Sequence, residues 1–147
     1  MTAYSASATF TPVAASHTAG DANDVAREFR DIAPRGTAYG VSTPVMITSA
    51  SLQINGTGAE ATAWRLYLFS DPPPSALADD AAFALAAADR ASFLGQVDLG
   101  TAIDLVDTQW IETHGINKQI AIPFGKTGTW GYLVNLTTLT PAAVAHI

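Results

Sequence analysis

The sequence predicts an all-β domain, built as an antiparallel sandwich or barrel with one short helical insertion. Short runs of alternating apolar and polar side chains recur along the chain, and turn-favouring residues separate them at intervals of about eight to twelve residues. One Ala-rich stretch interrupts this pattern. The chain has 147 residues, which suits one domain with a core of ordinary size. We therefore expect a single β domain over residues 14–147, preceded by a distinct segment at 1–13.

The segment at 1–13 predicts an extended N-terminal arm or an edge strand. Small polar and small apolar side chains alternate from residue 5 onward, and the run contains Pro12. Proline has no N–H group to donate to a neighbouring strand, so it suits an arm or the edge of a sheet. A loop at 17–24 and a short strand at 27–33 are expected to follow.

The clearest predicted hairpin lies between residues 45 and 69. Strand patterns cover 45–54 and 62–69, and Asn55-Gly56 stands directly after the first of them. Both residue types tolerate positive φ, which tight hairpin turns require. We therefore predict that these two strands pair with each other.

The second strand of that hairpin carries large side chains on both faces, because strand side chains alternate. Either another part of the same chain covers the second face, or that face contacts another protein. Cover by the same chain is the ordinary interpretation, and Arg, Tyr and Phe support the alternative of a protein contact, since these types are enriched at interface cores. The two faces are Trp64, Leu66 and Leu68 on one side, and Arg65, Tyr67 and Phe69 on the other.

The rest of the chain predicts one helical segment and then more strands. Apolar residues recur at helical spacing from Ala76 to Ala88, after the run Pro72-Pro73-Pro74. We therefore predict a short helix or helical loop there. A turn is expected at His114-Gly115. The predicted strands cover 93–99, 103–105, 110–113, 119–124 and 130–137.

Composition excludes several classes of function. The chain has 13 acidic and 7 basic residues, a net charge of -6 and no cysteine. Nucleic-acid binding depends on clustered Lys and Arg, so we expect no nucleic-acid partner. Disulfides and thiolate chemistry are impossible without cysteine. The N-terminus does not resemble a secretory signal, and the apolar run at 76–88 is too short and too charged to cross a bilayer, so we expect no membrane partner.

No catalytic motif is present in the sequence. The three histidines, His17, His114 and His146, do not pair at a spacing that suits a metal. Gly40-Val41-Ser42 approaches a nucleophile elbow but lacks its second glycine. Phosphate-binding glycine loops are also missing. We therefore predict that the protein is not an enzyme and that it has no catalytic residues.

Two acidic groups are candidates for cation binding. His17 could act with Asp21 and Asp24, but Asp and Asn in such a loop usually bond their own backbone. The pair Asp79-Asp80, with Asp89, lacks the ligand order of an EF-hand. We interpret this second group as solvated carboxylates on a helix surface, and we predict no metal site.

The three tryptophans raise the alternative of a carbohydrate-binding module, in which exposed rings stack on sugars. Trp64 and Trp130 fall in register with apolar neighbours, which favours packing inside the protein. Trp110 and Ile111 point in opposite directions along their strand. One of these two side chains is therefore expected to face outward or to contact a subunit.

Several segments together resemble small proteins encoded in the structural-gene modules of tailed bacteriophages. The resemblance covers most of the chain but carries no catalytic signature. The segments are Tyr4-Ser5-Ala6-Ser7-Ala8-Thr9-Phe10-Thr11-Pro12, Ala15-Ser16-His17-Thr18-Ala19-Gly20-Asp21, Leu66-Tyr67-Leu68-Phe69-Ser70, Pro73-Pro74-Ser75-Ala76-Leu77-Ala78-Asp79-Asp80 and Asp89-Arg90-Ala91-Ser92-Phe93-Leu94-Gly95.

The resemblance implies a capsid decoration, or cement, protein with a jelly-roll-like β-sandwich and no cofactor. It would bind the major capsid protein at capsomer junctions as a homodimer or homotrimer, on the virion surface, after assembly in the host cytoplasm. A tail or head-completion protein and a virion-surface carbohydrate-binding module are the alternatives. Six residues are predicted to form its interfaces: Tyr4 and Phe10 of the arm, Arg65, Tyr67 and Phe69, and Trp110.

Overall fold

The computed structural model describes residues 3–12, 17–32, 41–55 and 62–138, and it confirms the predicted all-β sandwich. A four-stranded sheet has the order β1-β7-β3-β4, and a three-stranded sheet has the order β2-β6-β5. All of their pairings are antiparallel. The strands are β1 Arg27–Phe29, β2 Thr43–Asn55, β3 Ala63–Phe69, β4 Phe93–Thr101, β5 Ile103–Asp104, β6 Thr108–Ile122 and β7 Thr129–Asn135.

The strand pairings are nested. The first described strand, β1, pairs with the last one, β7, and β2 pairs with the penultimate strand β6. Strand β3 lies inside the four-stranded sheet, between β7 and β4. Both sheets of the sandwich therefore combine strands from the beginning and the end of the described chain.

The main core lies between the two sheets. Strand alternation turns Trp64 and Leu68 of β3 inward, where they meet Leu52 of β2 and Ile111 of β6. Trp64 is only 1% exposed. The Thr113 hydroxyl of β6 donates a hydrogen bond to the Leu99 carbonyl of β4, so a polar contact also joins the sheets.

A second apolar cluster covers the outer face of the four-stranded sheet. It contains Phe69 of β3 and Tyr132 of β7, which are 0% and 1% exposed. Residues 71–92, named here the covering segment, contribute Leu77, Phe83 and Leu85 to it. This four-stranded sheet is therefore apolar on both faces. The three-stranded sheet packs on its inner face, and the covering segment packs on its outer face.

The predicted hairpin is wrong in its pairing, although both of its strands exist. Strand β2 pairs with β6, whereas β3 pairs with β4 and β7 in the other sheet. The chain thus crosses from one sheet to the other between residues 55 and 62. Turn-favouring residues are compatible with a change of direction, but they do not specify which strands pair, because pairing depends on contacts between distant segments.

The predicted turn at His114-Gly115 is also wrong, because β6 continues through it as one long strand. The strand contains an irregularity instead: Ser49 pairs with His114, whereas Ile47 pairs with Lys118. Gly115 and Asn117 adopt φ values of 69° and 51° inside this bulge. The sequence pattern indicated positive φ here, and Gly115 and Asn117 do adopt it. In the structure this conformation accommodates extra residues within a strand and does not reverse the chain.

The helix predicted over 76–88 is reduced to one 3-10 turn at Ala87–Asp89. Its apolar residues Leu77, Phe83 and Leu85 pack against the outer face of the four-stranded sheet from an irregular backbone. Tertiary packing thus overrides the local helix propensity of alanine. In the described ranges, no helix has the length and apolar character that crossing a membrane requires.

The N-terminal segment packs onto the body of the domain. Residues 3–12 form no strand, yet Ala8 and Phe10 belong to the core between the sheets. The Thr11 N–H group donates a 2.7 Å hydrogen bond to Asp24, which also binds Arg27. The described part of the predicted arm is thus docked on its own chain.

Candidate functional site

The six predicted interface residues do not form one surface. Tyr4 is 44% exposed. Phe10 is 1% exposed and its ring lies 6.3 Å from that of Phe29, so it is a core residue and offers no surface to a partner. Phe69 is likewise fully buried, in the second apolar cluster. Burial within the chain therefore removes Phe10 and Phe69 from the predicted interface.

The chain itself covers much of the predicted face of β3. The Tyr67 ring stacks on Phe83 of the covering segment, with centroids 3.7 Å apart and an angle of 17° between the planes. The Arg65 guanidinium donates a 2.5 Å hydrogen bond to Asp98 of β4. That bond, together with one to the Tyr67 hydroxyl, raises the pKa of Arg65 further above its ordinary value. Of the two alternatives for this face, cover by the same chain applies to Tyr67 and Phe69.

Trp110 occupies a different surface, the outer face of the three-stranded sheet. Ile111 is 4% exposed and points into the core, so its neighbour Trp110 points outward and is half-buried. In the next strand Ile103 pairs with Trp110 and is 65% exposed. Gln53 flanks Trp110 on the other side and is exposed. We name the outer face of β2, β6 and β5 the bare face.

Further apolar side chains are exposed at both ends of the three-stranded sheet. Leu105 and Val106, just beyond β5, are 58% and 75% exposed. Near the other end, Met46 is 50% exposed, and Val41 and Phe124 stand just outside the paired residues Thr43 and Ile122. These exposed apolar side chains thus lie at the two ends of the three-stranded sheet, apart from one another.

The structure brings together one group of titratable side chains that sequence spacing separates. His17 is completely buried; its Nε2 lies 3.7 Å from Asp79 Oδ1, and its Nδ1 lies 3.7 Å from Asp80 Oδ1. The carboxylate of Asp21 completes the group, with ligand atoms of His17, Asp21 and Asp80 all within 4.8 Å of one another. We name His17, Asp21, Asp79 and Asp80 the His17 cluster.

Backbone hydrogen bonds hold the two halves of the His17 cluster in place. The Gly20 N–H group donates to the Asn135 carbonyl of β7 at 2.8 Å, and the Ala22 N–H group donates to the Ala81 carbonyl at 2.9 Å. The loop at 17–24 is thereby fixed between β7 and the covering segment. The cluster thus depends on long-range pairing. The sequence spacing grouped His17 with Asp21 and placed Asp79 and Asp80 in a separate group, but it did not bring the two groups together.

The sequence-based interpretation of the acidic groups requires two corrections. Asp24 is not part of the His17 cluster, because its carboxylate binds Arg27 and the Thr11 amide. Asp79 and Asp89 are not solvated carboxylates on a helix: the Asp79 side chain is 11% exposed, and the Asp89 residue is 1% exposed and accepts from the Ser75 amide. Their burial follows from the packing of the covering segment on the sheet.

The His17 imidazole is the unusual member of its cluster. Neither of its nitrogens has a hydrogen-bond partner among the residues that the structure describes. A buried polar group left in this state costs about 1–3 kcal/mol of stability. The exposed pair His114 and Glu112, 3.1 Å apart on β6, has no such constraint. The described residues therefore present two candidate sites: the bare face, with Trp110 beside exposed Ile103, and the buried His17 cluster.

Comparisons with known protein families, with curated proteins and with solved structures returned no match for this chain.

Proposed function

We propose that this chain is a virion structural protein of a tailed bacteriophage, a decoration protein that binds the major capsid protein at capsomer junctions. The proposal begins from the sequence resemblance to small phage structural proteins. Among the described residues, the single observation that supports it best is the contrast between the sheets. The covering segment packs on the outer face of the four-stranded sheet, whereas no described segment packs in this way on Ile103 and its neighbours on the other sheet.

The bare face has the chemistry of a docking surface. Trp110 is of a type that often supplies much of the binding energy at interfaces, and exposed Ile103 lies beside it. A shell repeats the same junction many times, so oligomeric copies that each make modest contacts gain affinity through multivalency. The net charge of -6 disfavours adhesion to DNA during assembly.

Self-association as a homodimer or homotrimer is part of this proposal. Closed symmetric association is common among soluble oligomers, and a symmetric particle junction presents equivalent sites to such an oligomer. Tyr4, which is exposed although the N-terminal segment is docked, and Trp110 and Arg65, which are partly exposed, remain the predicted interface residues that the chain does not bury. We assign Trp110 and Ile103 to shell binding and Tyr4 to contacts between copies.

Binding to purified shells tests the proposal. Shells assembled from the major capsid protein encoded with this gene are mixed with the full chain, and bound protein is quantified by co-sedimentation. We expect saturable binding at a fixed ratio to capsomers, with density over capsomer junctions in a cryo-EM reconstruction. Density confined to the tail or to the head-completion position, or no binding, would overturn the decoration role.

Two charge substitutions locate the binding surface. Trp110→Asp and Ile103→Asp are each expected to reduce shell binding at least about 100-fold, because a charge is then buried against an apolar partner. Ala91→Asp is the matched control, since Ala91 is exposed in the turn before β4 of the other sheet. Equal binding of all three variants would contradict the assignment of the bare face.

The half-buried, outward-facing ring of Trp110 also favours the second candidate function, a carbohydrate-binding module on the virion surface. Aromatic rings on a flat sheet face can stack on sugars. Glycan arrays with the full chain and with Trp110→Ala separate the two functions. Saturable sugar binding that the variant loses, without shell binding, would replace the decoration role by this one.

A further inference from the structure

The His17 cluster combines features that a simple acidic patch lacks. The imidazole is fully buried, and neither nitrogen has a hydrogen-bond partner in the described part of the chain. Two carboxylates stand 3.7 Å from its nitrogens, one on each side, and the buried carboxylate of Asp21 lies beside them. Buried imidazole nitrogens without hydrogen-bond partners, facing carboxylate oxygens, form a set of donor atoms that a bound cation would complete.

We infer that the His17 cluster binds one divalent transition-metal cation, for which Zn²⁺ is the best chemical match, through His17 Nδ1 and the carboxylates of Asp21 and Asp80. This site is distinct from the bare face, because it joins the 17–24 loop to the covering segment over the opposite sheet. Its existence does not depend on the decoration role.

The donor set selects the class of metal. Neutral imidazole suits Zn²⁺ and other late transition metals, whereas Ca²⁺ and Mg²⁺ prefer sites made only of oxygen ligands. One nitrogen and two carboxylates leave a fourth tetrahedral position for water. Asp80 is 47% exposed, so this side of the cluster is open to solvent. A cation can therefore enter without unfolding of the loops.

The three donor atoms need to move only a short distance towards one another to bind the metal. Ligands of Zn²⁺ stand about 2.0–2.2 Å from the metal, so tetrahedral donor atoms lie about 3.4 Å apart. The three donor atoms all lie within 4.8 Å of one another, and a closure of on the order of 1 Å brings them to that geometry. Rotation of the half-exposed Asp80 side chain supplies much of this movement.

Two neighbouring groups position the ligands. The backbone N–H and the hydroxyl of Thr18 both donate to Asp21 Oδ2, at 2.6 Å and 2.7 Å, and so orient this carboxylate. Asp79 Oδ1 accepts from the Asp24 amide at 2.7 Å and faces His17 Nε2. With a metal at Nδ1, the proton of His17 is on Nε2 and points at Asp79, as in the carboxylate–histidine–metal arrangement.

Metal binding and thermal unfolding test the site. The full chain is stripped with a chelator, and Zn²⁺, Ca²⁺ and Mg²⁺ are compared by calorimetry and by thermal melts. We expect one Zn²⁺ per chain, and at about 100 times the dissociation constant Zn²⁺ should shift the folding equilibrium about 100-fold. No saturable binding up to about 1 mM Zn²⁺, or equal stabilisation by all three cations, would overturn the inference.

A conservative variant keeps the test independent of folding. Asp80 adopts a φ of 65°, and Asn tolerates this conformation at least as well as Asp, so Asp80→Asn preserves the backbone. We expect this variant to melt like the stripped wild-type protein and to lose at least about 10-fold in Zn²⁺ affinity. Asp107→Asn, at an exposed carboxylate beyond β5, is the matched control and should bind as the wild type does.

Nitrogen NMR identifies the ligand atom. In histidine-labelled protein we expect Zn²⁺ to shift Nδ1 of His17 and to leave Nε2 protonated, with His114→Gln simplifying the spectrum. Asp79→Asn retains the acceptor for the Asp24 amide, so it should weaken Zn²⁺ binding by about 10–100-fold through orientation alone. Shifts confined to other histidines, or unchanged affinity in Asp80→Asn, would overturn the site.

Discussion

The two outer faces of the sandwich differ in what covers them. On the four-stranded sheet, Phe69 and Tyr132 are buried beneath the covering segment. On the three-stranded sheet, Trp110 stays half-buried and Ile103 is 65% exposed. The difference shows that large apolar side chains on an outward strand face have two distinct fates. They contribute to the stability of the fold where the chain folds back over them, and they stay partly exposed where no described segment does so.

The largest expected effect comes from removing a ring beneath the covering segment. Phe69→Ala should lower the free energy of unfolding by about 3–5 kcal/mol, because Phe69 packs against Phe93 and Tyr132 with no exposure. Ile103→Ala on the bare face is the control, with a change within about 0.5 kcal/mol. Urea unfolding measures both, and similar losses in the two variants would contradict the contrast between the faces.

A smaller effect is expected at the hydrogen bond that ties the covering segment to β7. The Leu77 N–H group donates to the Tyr132 hydroxyl at 2.9 Å. Tyr132→Phe removes the acceptor and should lower the free energy of unfolding by about 0.5–1.5 kcal/mol. Hydrogen exchange of the Leu77 amide should accelerate in the variant, and an unchanged rate would argue against this anchor.

Tyr132 should also make the free energy of unfolding depend on pH. Burial raises the pKa of the Tyr132 phenol above its ordinary value of about 10, so the folded protein holds this proton more tightly than the unfolded chain does. Its contribution to stability is therefore complete below pH 10 and is lost as the pH rises through the pKa of the folded state. Urea unfolding at pH 8 to 11 should show this loss in the wild type and a smaller one in Tyr132→Phe.

The smallest effect is expected at the ion pair between β3 and β4. Arg65 and Asp98 are 28% and 62% exposed in their side chains, so solvent screens their attraction. Arg65→Gln should change the free energy of unfolding by about 0–1 kcal/mol, less at high salt than at low salt. A loss above about 2 kcal/mol that persists in 1 M salt would show that Arg65 is part of the packed cluster after all.

The sequence located the strands well and their partners poorly. Strands expected at 45–54 and 62–69 correspond to β2 and β3, because alternation is a local property of each segment. Their mutual pairing was wrong, and so was the turn inside β6 at Gly115. The turn at Gly115 was wrong because a residue that tolerates positive φ is compatible with a turn and with a bulge alike. The pairing of β2 with β3 was wrong because strand partners are set by contacts between distant segments.

For the candidate sites, too, local features were predicted from the sequence and long-range contacts were not. The opposite orientations of Trp110 and Ile111 were predicted correctly from alternation, and Ile111 is the buried one. The interface expected at Phe10 and Phe69 was not found on the surface, since other segments of the chain bury both rings. His17 and Asp80 are 63 positions apart in the sequence, and only the docking of the covering segment brings them together.

The amino-acid sequence by itself determined the all-β class, the positions of most strands and which side chains share a strand face, because these depend on neighbours within a few residues. Only the tertiary structure decided which strands pair, which outer face is covered and which carboxylates surround His17. These outcomes depend on contacts between distant segments, and many arrangements satisfy the same local pattern. The balance of burial over the whole chain selects one of them.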